Sequence, residues 1–282
     1  MAAAAGWGES AGHHGAVTRD EGYLLANEQV EAGTRFDALA ALFDPATFRH
    51  IDDLGIAAGW RCWEVGAGGP SVPAWLVSRV GPSGYVLATD IDVSWLEAGG
   101  PVAYEVRRHD VGVDEPPAGD FDLVHARLVL VHVPGRDAAL AALVGALRPG
   151  GWLLVEDADP ALQPLICPDE YGAEQRLANK LRRGFRTLLA ERGADLGYGR
   201  TLPRLLRGAG LVEVAADAYF PLSGPACTLL ERATVEQVRG RLVAAGLATD
   251  AEVEAHLRNV VTGRLDLATS PMVSAWGRKP AG

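Results

Sequence analysis

Between Arg61 and Asp159 the chain alternates short apolar runs with helix-like stretches, and no other feature constrains its fold as tightly. The apolar runs at 61–65, 85–89, 103–107, 121–125 and 151–156 have strand length. They are too short for membrane spans and carry no helical period. A helix-like stretch at 72–80 separates the first two runs, and another at 138–147 follows the fourth. The second of these runs into Arg148-Pro149-Gly150-Gly151, which reads as a turn because Pro and Gly cannot continue a helix. Strands alternating with helices form βαβ units, so the expectation is an α/β fold with a mostly parallel, doubly wound sheet.

The flanks read as helices around that sheet. Residues 23–56 look helical, with Phe36, Leu39, Leu42 and Phe43 on one face and Asp44-Pro45 opening a second helix. Residues 171–192 form a long amphipathic helix with Leu177, Leu181, Phe185, Leu188 and Leu189 on one side. Lys180, Arg182, Arg183 and Arg186 occupy the remainder and read as a solvated charged face, with a substrate-binding basic patch as the second reading. A helix at 202–209, a strand at 211–219 and a last strand at 271–277 complete the pattern. Between those two strands, Thr234 with Gln237 and Thr249 with Glu252 have capping-box spacing and open two further helices. No internal repeat or low-complexity linker divides the chain. The expected organisation is a disordered tail at 1–18, a helical cover at 19–58 and one α/β domain over 59–282, with helical insertions at about 160–200 and 220–270.

The chemistry concentrates in Cys62-Trp63-Glu64-Val65-Gly66-Ala67-Gly68-Gly69-Pro70. A buried strand enters a glycine-rich turn and then a helix. Gly66 and Gly68 allow a sharp turn and close approach of a ligand, since no Cβ stands in the way. In an open α/β sheet such a turn lies at the carboxyl ends of the strands, where ligands bind. The second strand ends in Thr89-Asp90, placing a carboxylate where it can accept hydrogen bonds from both ribose hydroxyls of a nucleoside.

These residues resemble the first motif of the class I, Rossmann-like methyltransferases, an acidic residue in a strand followed by G-x-G-x-G. Here Pro70 takes the place of the third glycine. The resemblance continues through Thr89-Asp90-Ile91-Asp92 at the ribose-binding strand end and through Arg108-His109-Asp110-Val111, the loop that holds adenine. It extends to Phe121-Asp122-Leu123-Val124-His125-Ala126-Arg127 as the fourth strand and Leu147-Arg148-Pro149-Gly150-Gly151 as the turn before the fifth. It covers residues 60–160 and implies a seven-stranded sheet of order 3-2-1-4-5-7-6 with an antiparallel last strand. The implied cofactor is S-adenosylmethionine, bound by Glu64, Gly66, Ala67, Gly68, Asp90, Ile91, Asp110, Val111 and Arg127. The implied activity is methyl transfer to a small-molecule acceptor. Two alternatives remain, an NAD(P)-dependent oxidoreductase and a protein of this fold that binds the cofactor without transferring methyl. Against the oxidoreductase, the turn lacks the G-x-x-G pattern at 68–71 and no Tyr-x-x-x-Lys pair exists, Lys180 and Lys279 being the only lysines.

His132, just after the fourth strand, is the candidate general base, because an imidazole can take a proton from a hydroxyl. His125 reads as structural. The guanidinium fork of Arg127 suits either the cofactor carboxylate or an anionic substrate group. Glu156, Asp157 and Asp159 cluster at the end of the fifth strand and read as loop and cap residues rather than as a metal site. Trp152 and Tyr198 are candidate pocket liners, and Tyr23 with the first helix is a candidate cover over the cofactor.

Composition narrows the partners. The net charge of −10, with no long basic run, argues against a broad nucleic-acid footprint. Cys62, Cys167 and Cys227 are far apart without metal-ligand spacing, as in a reduced cytoplasmic protein. The N-terminal residues, including His13-His14, lack the basic start and apolar stretch of a signal peptide. The expectation is a cytoplasmic protein without a membrane span, monomeric or homodimeric, and without a metal.

Overall fold

The structure, a computed structural model, describes Leu24 and residues 30–97 and 102–282. The expected tail at 1–18 and Tyr23 lie outside the described residues. Seven strands form one sheet: β1 (Arg61–Val65), β2 (Tyr85–Asp90), β3 (Glu105–Arg108), β4 (Phe121–Arg127), β5 (Leu147–Ala158), β6 (Val212–Tyr219) and β7 (Met272–Arg278). Their order is β3-β2-β1-β4-β5-β7-β6, the order implied by the resemblance. β1 to β5 pair in parallel, and β7 lies antiparallel between β5 and β6. The helices are α1 (Val30–Asp53), α2 (Ser71–Val80), α3 (Ser94–Glu97), α4 (Arg136–Ala146), α5 (Ala173–Glu191), α6 (Leu202–Gly208), α7 (Pro225–Ala244) and α8 (Asp250–Val261).

The central strands are largely buried on both faces, as expected of parallel strands covered by helices on each side. Trp63, Val65, Leu87 and Val124 face α4 and α6, meeting Leu140, Leu143, Leu202 and Leu206. Cys62, Val86, Ala88, Leu123 and Leu154 face the other way, onto Val72, Leu76 and Val80 of α2 and Ile51 of α1. Each large apolar side chain so buried contributes about 1.5–3 kcal/mol. Separate apolar clusters join α1, α5, α7 and α8 into a helical cover above the strand ends. Among the described residues no helix is long and apolar enough to cross a membrane.

Three local expectations are corrected. Asp44-Pro45 does not open a new helix, since α1 runs through Pro45. Leu42, Phe43, Thr47, His50 and Ile51 are all buried around it, and that burial outweighs the roughly 3 kcal/mol cost of an interior proline. The Pro149-Gly150-Gly151 turn is instead a bulge inside β5, where the register with β4 slips between Phe121 and Leu123. Gly150 takes φ +79° there. The end of β7 holds it in the sheet, with Gly150 N–H donating to Lys279 O (2.9 Å) and Lys279 N–H to Gly151 O (2.8 Å). Finally, Thr249 and Glu252 do form a capping box at the start of α8. Thr234 and Gln237 instead lie buried inside α7, which already begins at Pro225 after Gly224.

Candidate cofactor and active site

β1 delivers the chain into the glycine turn at the carboxyl edge of the sheet. Gly66 and Gly68 both adopt φ +61°, a left-handed conformation that favours glycine. A Cβ on Gly66 would come within 2.4 Å of Val129, and one on Gly68 within 2.8 Å of the Phe36 ring. The turn is fastened to the end of β2: Ala67 N–H donates to Thr89 O (3.0 Å) and Gly68 N–H to Asp90 Oδ2 (2.8 Å). Asp92 N–H donates to the other Asp90 oxygen (3.0 Å). Burial pushes the Asp90 carboxyl above its ordinary value, and these backbone donors oppose the rise. A carboxylate has about four acceptor sites, so capacity for a further donor remains. Beside it Ile91 is 47% exposed, an apolar face at the strand end. The loop after β3 brings Asp110 and Val111 to the same wall, with Asp110 Oδ1 accepting from Gly112 N–H (2.9 Å).

This wall opens on a cavity of about 970 Å³, near the upper end of the range for ligand sites. Gly66, Ala67, Gly68, Asp90, Ile91, Asp110, Val111, Arg127 and His132 all line it. His132 ends a short 3-10 turn, Leu130–His132, reached through Leu128 in a left-handed conformation (φ +58°) that a leucine rarely adopts. Burial, then the charges of Arg35 and Arg136, lower the His132 imidazole to about 4. It is therefore neutral at physiological pH.

Glu64 departs from expectation, because its side chain does not line the cavity. It turns into the sheet and meets His125, Nδ1 to Oε2, at 2.6 Å. The register that sets Glu64 of β1 opposite His125 of β4 makes this pairing. His125 Nε2 lies 3.2 Å from Glu156, which also receives Ser274 Oγ–H (2.6 Å) and a hydrogen bond from Thr47. His50 continues the chain, Nδ1 to Glu156 at 3.3 Å and Nε2 to Asp217 at 2.9 Å. Burial alone would lower His125, but the charge of Glu64 and hydrogen bonds to Glu156 and Glu64 push it up to about 9. Burial would raise Glu156, yet His125 and His50 hold it well below the usual carboxylate range. Burial keeps Glu64 above its ordinary value despite His125.

Arg127 spends two donors on α1, to Asp44 (2.8 Å) and Thr47 (3.0 Å). Of the three acids at the end of β5, Glu156 joins the buried chain and Asp159 binds Arg200 (2.7 Å). Asp157 is fully buried, and burial lifts its carboxyl far above the usual range. The three point apart, and among the described residues no group of His, Cys, Asp and Glu is arranged to hold a metal ion. Trp152 and Tyr198 do not line the cavity. Both pack in the core, Trp152 under the Arg278 guanidinium at 5.4 Å and Tyr198 under that of Arg136 at 5.4 Å.

The face of α5 opposite the glycine turn departs from the solvated reading. Lys180 pairs with Glu252 (2.5 Å) and Arg183 is exposed, but Arg182, Phe185, Arg186 and Leu189 line the cavity. Their spacing of i, i+3, i+4 and i+7 is one helical stripe, the signal that was available in the sequence. Glu231 and Thr234 of α7 complete the far wall, and Arg35 and Phe36 of α1 also line the cavity, Phe36 against the glycine turn.

The sequence pattern of a methyltransferase domain matches residues 48–216, more than half of the chain. The chain belongs to the methyltransferase-domain family. This methyltransferase is 31% identical over 201 residues to methyltransferase str2 of Strobilurus tenacellus, covering 68% of each chain. It is 29% identical over 207 residues to a ubiquinone biosynthesis O-methyltransferase of Burkholderia pseudomallei, covering 71% of this chain and 85% of that one. Its fold is shared with phosphoethanolamine N-methyltransferase 2 of Haemonchus contortus, solved with phosphomonomethylethanolamine and S-adenosylhomocysteine. There the TM-score is 0.55 at 14% identity, over 91% of this chain and 59% of that one. The reaction of this methyltransferase is S-adenosylmethionine-dependent methyl transfer, and the oxidoreductase alternative falls away.

Proposed function

We propose that this methyltransferase acts on a small organic acceptor held beneath α1, α5 and α7, and that it works in the cytoplasm, as a monomer or homodimer, without nucleic acid. One observation carries the reading. A single cavity runs from the glycine turn and Asp90, past His132, to α5. Its volume suits a nucleoside cofactor and a small molecule together, beneath a helical roof. The Burkholderia relative is named for O-methylation in ubiquinone biosynthesis, which supports an organic acceptor rather than a nucleic acid.

The strand-edge wall fits the cofactor's chemistry. The Gly66-Ala67-Gly68 backbone gives close approach, Asp90 accepts the two ribose hydroxyls, and Ile91 and Val111 flank the adenine ring. Asp110 accepts from the adenine amino group. Arg127 adds its remaining donors and latches α1 over the site. Glu64 acts from behind, holding the end of β1 through His125 rather than touching the cofactor. When bound, S-adenosylmethionine supplies a methyl group already activated as an electrophile on sulfonium. The protein's task is then alignment and removal of the acceptor's proton. His132 is the base. An imidazole lowered to about 4 is weak, but an O–H becomes strongly acidic as its oxygen is alkylated, so a weak base suffices late in the step.

Calorimetric titration tests the cofactor assignment. S-adenosylhomocysteine is expected to bind at micromolar concentration and NADH and NADPH not at all. Nicotinamide binding without sulfur-nucleoside binding would overturn it.

A further inference from the structure

The far wall of the cavity carries more positive charge than the protein around it neutralises. Arg182 and Arg186 lie one helical turn apart on α5, and both line the cavity. Like charges at i and i+4 repel, and such a pair weakens a helix. The Arg182 side chain is 14% exposed and stands 3.5 Å from Glu231. Glu231 is itself buried and is already engaged by His256 Nε2 at 2.8 Å. Arg186 has no ion pair among the described residues, and its Nε is buried without a hydrogen-bond partner. Burial and the neighbouring Arg182 both lower its pKa. Arg192, just past α5, adds a third guanidinium to the same lining.

Even a part-buried cation costs free energy when it lacks a counter-charge and one of its N–H groups is buried without a partner. The molecule's overall charge does not explain it, because the net charge is −10. Phe185 and Leu189 on α5 and Leu230 on α7 give the same wall an apolar surface beside Glu231 and Thr234. Arg35, whose neighbour Phe36 lies against Gly68, lines the same cavity from α1.

We propose that Arg182 and Arg186 form an anion subsite for the acceptor, which carries a carboxylate or phosphate group on an apolar body. This rests on the reading that the cavity holds cofactor and acceptor side by side. The anion completes the charge of Arg186, accepts hydrogen bonds from both guanidiniums and sets the distance from the reacting atom to His132. Guanidinium forks suit both anions because they donate two parallel hydrogen bonds.

The test uses the protein saturated with S-adenosylhomocysteine and titrated calorimetrically with benzoate, phenyl phosphate and neutral benzamide. One of the two anions is expected to bind at least about tenfold more tightly than benzamide, the scale of a charge-assisted hydrogen bond. Arg186→Gln removes that preference and Arg186→Lys keeps part of it, while affinity for S-adenosylhomocysteine stays within about twofold in both. Equal affinity for all three probes in the unsubstituted protein overturns the proposal with no variant needed. A tenfold loss of S-adenosylhomocysteine affinity in Arg186→Gln also overturns it, by giving the pair to the cofactor. If the unsubstituted protein fails to bind S-adenosylhomocysteine at all, the cofactor assignment falls first and this proposal with it.

Discussion

On the strand-edge wall of the cavity, Asp90 and Asp110 stand on backbone N–H groups; on the helical wall facing it, Arg182 and Arg186 stand on long side chains. The first wall is rigid because its donors belong to the sheet and to a glycine turn that no Cβ can enter. The second is adjustable, because a guanidinium on a flexible stem can follow different ligands. One wall suits an invariant cofactor and the other a particular acceptor. His132 sits where they meet, on a strained connection out of β4.

The comparison breaks most visibly at that junction. His132→Ala is expected to lower kcat by roughly 10²-fold, the scale of general-base catalysis, with affinity for S-adenosylhomocysteine retained. The pH–rate profile of the unsubstituted enzyme should show no histidine inflection near 6.5, since His132 is lowered to about 4. On the strand-edge wall, Asp90→Ala should weaken cofactor binding by more than about tenfold, because two charge-assisted hydrogen bonds vanish. On the helical wall, Arg186→Gln should cost about tenfold in anion affinity and nothing in cofactor affinity.

Behind both walls, the Glu64–His125–Glu156–His50 chain predicts a pH effect on stability rather than on binding. Folding raises His125 from 6.5 to about 9. Its imidazolium therefore contributes fully below pH 6.5, and the contribution is lost as pH rises through 9. The melting temperature should fall by roughly several degrees over that window, and His125→Gln should flatten the decline. The smallest effect is expected far from the site. Thr249→Ala removes the capping box of α8 at a cost of about 1 kcal/mol, measured by denaturant unfolding, and leaves both ligand affinities unchanged.

The central strands were legible because each is a short, mainly apolar run between helix-like stretches, and the glycine turn with Asp90 because their chemistry is local in sequence. The bulge in β5 was not legible, because Pro149-Gly150-Gly151 has turn composition and only the end of β7 keeps it in the sheet. Helix α1 hid its continuity for a similar reason. Pro45 is a local breaker, overruled by burial on both sides of it. The inward turn of Glu64 follows from its register against His125, which no single segment encodes. Arg182 and Arg186 were visible as a stripe with Phe185 and Leu189. What the stripe faces depends on where α5 docks, which is a tertiary fact.

The most direct test of the two-wall account is a titration of S-adenosylhomocysteine into the unsubstituted protein, Asp90→Ala and Arg186→Gln under one condition. The account predicts a loss of more than about tenfold in Asp90→Ala and none in Arg186→Gln. Unchanged affinity in a folded Asp90→Ala protein, or an equal loss in both variants, would contradict it.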